Sequence, residues 1–109
     1  MAKRIAIHET GGPEVLAWES FDPGKPGPGE VLLEQEAAGL NFIDVYHRTG
    51  YYPLPEYPHG LGMEAAGTVR EVGPEVDWLS PGERVAYTTP PPGAYATERV
   101  MPAAKLLKL

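Results

Sequence analysis

The sequence predicts a mainly β domain, a small barrel or sandwich with a single short helix. Three observations lead there. The 109 residues include 13 Gly and 13 Pro, so turn-forming residues leave little room for long helices. The apolar residues fall in short runs of strand length, separated by Pro- and Gly-rich connections. Only one stretch, near residue 45, combines helical spacing with an absence of Gly and Pro.

The elements follow in order. Lys3 to His8 alternates polar and apolar residues as a half-buried strand does, and Gly11-Gly12-Pro13 turns the chain. Val15 to Ser20 fits the returning strand. Asp22 to Gly29 holds three Pro and three Gly in eight residues, a loop that no helix or central strand tolerates. Glu30 to Ala38 then opens as a buried apolar run and is the longest strand candidate. From Asn41 to Arg48, Phe42, Val45 and Tyr46 recur at helical spacing, and Gly50 is placed to end the helix. Tyr51 to Gly62 is irregular and rich in tyrosine. Met63 to Val72 reads as a strand in which Gly67 marks a bulge or a close backbone approach. Glu83 to Thr88 is a strand with Val85 and Tyr87 on one face, and Ala94 to Val100 is the last clear strand. The end, Ala104 to Leu109, is apolar and strand-like, without the polar tail usual at a terminus, and is expected to be a truncation.

Composition excludes several functions. There is no cysteine, so disulfides, thiolate zinc sites and a cysteine nucleophile are absent. A formal net charge of -6 with scattered basic residues argues against nucleic-acid binding. No run of about 18 apolar residues or signal peptide is present, so the expectation is a cytoplasmic protein that does not span a membrane. The three histidines, His8, His47 and His59, have no paired ligand spacing and read as surface or loop residues.

Four stretches carry a resemblance: His8 to Leu16, Ala38 to Asp44, Gly60 to Gly67 and Pro81 to Val85. In this order and spacing they resemble the N-terminal, GroES-like domain of the medium-chain dehydrogenase/reductases, in the quinone oxidoreductase branch. The resemblance covers essentially the whole chain and implies a GroES-like, partly open β-barrel filling residues 1–109, cut before the nucleotide-binding Rossmann domain. It implies NADPH as cofactor and a quinone or related conjugated carbonyl as substrate. The full-length protein would be a homodimer. The isolated chain would be inactive and prone to self-association, because most NADPH-binding contacts lie in the missing domain.

The resemblance also places site residues. Zinc-dependent members carry a zinc-binding Cys where this sequence has Asn41 and a zinc-binding His where it has Met63. Amide and thioether are poor ligands for tetrahedral zinc, so the domain is expected to bind no metal. Asn41, Tyr46 and Tyr52 are the candidate catalytic residues, donors for a substrate oxygen. Asn41, Phe42, Tyr46 and Glu64 are the candidate cofactor contacts, with core packing weighed equally for Phe42 and a structural role favoured for Glu64. Asp44 suits the positive end of the helix. Gly39, Gly60, Gly62 and Gly67 are read as turn and packing positions, not as a phosphate-binding fingerprint. The competing possibility is a free-standing GroES-like binding or assembly module. Its mobile, apolar partner loop is not matched by the Pro-stiffened, Tyr-rich loops here.

Overall fold

The computed structural model describes all 109 residues. Eight strands form two antiparallel sheets, one of three strands and one of five, that do not close into a continuous barrel. In the small sheet, β1 (Lys3–Ile7) lies between β2 (Ala17–Ser20) and β4 (His59–Gly60). The large sheet runs β7 (Glu98–Pro102), β3 (Glu30–Gly39), β5 (Glu64–Val72), β6 (Arg84–Tyr87), β8 (Leu107–Lys108). One helix, α1 (Phe42–Thr49), follows β3 directly.

The main core lies on one face of the large sheet. Val31, Leu33, Val69, Val85, Tyr87 and Met101 alternate inward from β3, β5, β6 and β7, and Leu79 and Leu106 fill in from the connections. This is the period-two pattern of half-buried strands. A smaller cluster of Ile7, Leu54 and Leu61 joins the small sheet to the irregular segment after α1.

Four elements differ from their sequence reading, one of them the end of the chain, where Ala103–Lys105 is a 3-10 turn and only Leu107–Lys108 is strand. Pro13–Val15 is a short 3-10 turn, so the strand begins only at Ala17, because Pro13 presets a turn conformation. The His59–Gly60 strand was not foreseen, since two residues carry no periodicity. The last long strand starts at Glu98 rather than Ala94. Ala94 to Thr97 instead divides its hydrogen bonds between elements: Tyr95 N–H donates to Leu61 O, Thr97 N–H to Lys3 O, and Tyr95 O accepts Ile5 N–H. The Gln35 side chain braces it by donating to Ala94 O and Ala96 O, at 2.6 and 3.1 Å. This segment is the seam between the two sheets.

Gly67 is the close approach that the sequence suggests. A Cβ there would strike the Glu34 carbonyl of the neighbouring strand. The adjacent bulge is in β3: Gln35 faces Gly67 and Ala37 faces Ala66, leaving Glu36 as the extra residue.

Candidate active-site cleft

The site is assembled where β3 ends and α1 begins. Asn41 has extended backbone angles (φ −136°, ψ 153°) and sits at the helix N-cap. Asp44 Oδ2 accepts the Asn41 N–H at 3.0 Å, which satisfies one of the donors that a helix start leaves unpaired and sets a negative charge at its positive end. At the other end Gly50 adopts φ 88° and donates to Tyr46 O, a left-handed cap that glycine permits without strain.

From the N-cap the Asn41 amide nitrogen reaches across to the neighbouring strand. Nδ2 donates to Glu64 Oε1 at 2.7 Å, the first residue of β5. Gly39 faces Glu64 in register, and a Cβ on Gly39 would come 2.5 Å from the Glu64 Cδ. The missing side chain at Gly39 is thus what lets the carboxylate lie over the strand and hold Asn41. One N–H of the Asn41 amide remains without a protein partner.

Tyr95, from the seam, completes the arrangement from below. Its hydroxyl donates to Asp44 Oδ2 and lies 3.2 Å from the Gly39 carbonyl. Burial, reinforced by the neighbouring Asp44 and Glu64 carboxylates, pushes the Tyr95 phenol well above its ordinary range, so the hydroxyl keeps its proton and can donate to Asp44. Asp44 is 7% exposed, and its second oxygen, Oδ1, is buried without a partner.

Above this polar floor is a half-open cleft of about 500 Å³, mostly apolar, walled by Leu16, Leu40, Phe42, Val45 and Leu61. Leu40 and Phe42 are 86% and 84% exposed. Core packing of Phe42, one of its two sequence readings, is therefore overturned: the helix turns Asp44 and His47 inward and leaves Phe42, Val45 and Tyr46 outward. His47 is correspondingly a buried helix residue, not a surface or loop one. Burial lowers its pKa, with the charge of Asp44 opposing and that of His59 assisting.

Tyr46 and Tyr52 form a separate group. With Tyr51 they make a triangle of rings, centroids 5.0 to 5.3 Å apart, beyond the C-terminal half of α1. Neither is buried, and their hydroxyls have no protein partner. The structure thus joins Asn41 and Glu64 at the start of the helix with Phe42 beside them, and sets Tyr46 about one turn further along, with Tyr52 packed against Tyr46. Tyr95 and Tyr51 were not singled out from sequence. Tyr95 follows a proline run, and nothing local marks its reach to residue 44.

No three His, Cys, Asp or Glu side chains converge as metal ligands, and no helix is long and apolar enough to cross a membrane.

Comparison with known proteins gives a consistent group. Residues 27–109 match the alcohol dehydrogenase GroES-like domain family. The chain is 51% identical over its 109 residues to a quinone oxidoreductase of Pseudomonas aeruginosa, covering 100% of this chain and 34% of that protein. It is 48% identical to a 2-haloacrylate reductase of a Burkholderia species, again over 100% of this chain and 34% of that protein. Among solved structures, the quinone oxidoreductase of Pseudomonas syringae pv. tomato superposes with a TM-score of 0.97 at 53% identity, covering 100% of this chain and 34% of that one. The Escherichia coli quinone oxidoreductase complexed with NADPH does so at 0.95 and 45%, over 98% of this chain and 33% of that one. The chain spans about a third of the length of these relatives.

Proposed function

Because the chain belongs to the alcohol dehydrogenase GroES-like domain family, we propose that it forms the substrate- and nicotinamide-facing wall of a zinc-free, NADPH-dependent quinone reductase. The observation that carries this reading is the Asn41 amide, clamped by Glu64 and presenting a spare N–H to an apolar cleft.

The donor set disfavours zinc. Asn41 and Met63 stand where zinc-dependent members of the superfamily place Cys and His, and amide oxygen with thioether makes a poor tetrahedral site. The cleft fits a flat ring instead, since Leu40, Phe42 and Val45 offer apolar surface beside one oriented polar group. NADPH, when bound, supplies the hydride for reduction of the quinone. The residues of this chain position and stabilise. Asn41 donates its free N–H to a carbonyl oxygen, where negative charge grows during reduction. Glu64 holds that amide in one orientation. Phe42 packs against the ring on the open side. Tyr46 and Tyr52 form an aromatic lip, and the Tyr52 hydroxyl is the second donor available to an acceptor entering from that side. The activity belongs to the longer protein: the 109 residues alone are not expected to turn over, because they provide no obvious seat for the adenosine and pyrophosphate.

The test is steady-state NADPH oxidation with 1,4-benzoquinone by the longer protein. Asn41→Ala is expected to lower kcat/KM about ten- to a thousandfold, as loss of one preorganised donor does. Tyr52→Phe should lower turnover with no change in melting temperature. Unchanged kinetics in both variants would remove these residues from the site, and stoichiometric zinc resisting dialysis would overturn the metal-free reading.

A further inference from the structure

Away from the cleft, two arginines converge on one hollow without an adequate counter-charge. Arg99, from β7, is 6% exposed. Its hydrogen-bond partners are neutral: Nη1 donates to the Tyr87 hydroxyl at 3.2 Å and Nη2 to Pro91 O at 2.9 Å. The guanidinium also stacks 5.4 Å from the centroid of the Tyr87 ring. No carboxylate forms an ion pair with it, unlike Arg70 or Arg84 on the exposed side of the large sheet. A guanidinium does not deprotonate, so the charge stays, and a buried charge without an opposite partner is costly.

Arg4 of β1 approaches from the other sheet. It stacks on Phe21 at 4.9 Å and reaches Glu19 only at 4.0 Å, and its Nε is buried with no partner. Both arginines line a hollow of about 270 Å³ bounded by His59, Gly60, Pro91 and Gly93. The two glycines bring the charges together. A Cβ on Gly60 would lie 3.2 Å from Gly93 Cα and 3.9 Å from Arg4 Nη1, while one on Gly93 would lie 3.2 Å from Arg99 Nη2. The two guanidinium groups therefore flank the same point of backbone contact, at the bottom of a space that side chains there would fill.

Like charges drawn to one small hollow repel unless an anion sits between them. The carboxylate on its rim, Glu56, is exposed and makes no ion pair or hydrogen bond. We propose that the hollow between Arg4 and Arg99 binds a small oxyanion, a phosphate or a carboxylate group, through charge-assisted hydrogen bonds from both guanidinium groups. Arginine is suited to this because its planar fork matches two oxygens of such a group at once. The volume admits an inorganic phosphate or a single carboxylate. An occupant would tie β1 to the loop before β7. It would also steady Gly93, whose N–H donates to Gly62 O two residues before Glu64.

Calorimetric titration of the chain with inorganic phosphate, at constant ionic strength held with chloride, tests this. Saturable binding at one site is expected. Arg4→Gln should weaken it at least about tenfold, the loss of one charge-assisted contact. Glu56→Gln should tighten it severalfold by removing the negative charge at the rim. Arg99→Met should abolish binding if it folds, and Arg4→Gln decides the matter if it does not. Acetate saturating where phosphate does not identifies a carboxylate as the occupant and keeps the site. The proposal is overturned by any of three results. The first is only a non-saturating rise in melting temperature, the general effect of excluded salts. The second is binding unchanged in the Arg4 variant. The third is weakening by Glu56→Gln, which would make Glu56 the internal partner of the arginines.

Discussion

The two halves of β3 behave as different materials. From Glu30 to Glu34 the strand is paired on both edges, with β5 and with β7, and Val31 and Leu33 are completely buried. From Gln35 to Gly39 it is a strand partner of β5 alone, bulges at Glu36, and runs into Leu40 and Phe42, which project almost fully into solvent. The first half is closed by its own neighbours. The second ends in apolar side chains with no partner among these residues and one well-oriented amide. The former is buried core and the latter carries the proposed site, and a single strand carries both because a bulge re-aims side chains without breaking the sheet.

Truncation at each end is the sharpest way to break this contrast. Leu33→Ala should cost about 2–5 kcal/mol, the range for a fully buried leucine. Leu40→Ala should lie within about 0.5 kcal/mol of the parent, as exposed substitutions do. Urea unfolding of both variants measures it. An equal loss for Leu40→Ala would mean that the projecting end is covered in solution.

A smaller effect is expected at the junction of the halves. Tyr95→Phe removes the hydroxyl from buried Asp44, whose other oxygen is already unpartnered, and should cost about 1–3 kcal/mol. If that variant is as stable as the parent, the Tyr95–Asp44 contact does not hold the helix to the seam.

The smallest expected effect concerns His47, on the inward side of the same helix. Burial sets its folded pKa below the ordinary 6.5, so below pH 6.5 the unfolded chain takes up more protons than the folded one. The stability associated with neutral His47 is therefore intact above pH 6.5 and is lost as pH falls toward the folded value. Melting temperature between pH 7.5 and 5.5 should fall more steeply for the parent than for His47→Gln. Parallel curves would show that the Asp44 charge offsets burial.

Much of this architecture was legible residue by residue. The run Glu30 to Ala38, the helix ended by Gly50 and the close approach at Gly67 all rest on local rules: apolar periodicity, turn chemistry and the space a Cβ occupies. The GroES-like fold and the candidate role of Asn41 came from motif order, and the Asn41–Glu64 clamp is where two of those motifs touch. The helix was the misleading element. Phe42, Val45 and Tyr46 have the spacing of a buried face, yet Asp44 and His47 are the residues turned inward.

The sequence by itself determined that the domain is mainly β, that the run from Glu30 to Ala38 is its longest strand, and that Gly50 ends the one helix. Only the tertiary structure decided which face of α1 is covered, why residues 94–97 leave the strand, and how Tyr95 meets Asp44 and Arg4 nears Arg99. Periodicity encodes alternation along one element. It does not encode which distant carbonyl, ring or charge will lie opposite, and a buried polar group takes its place from that partner.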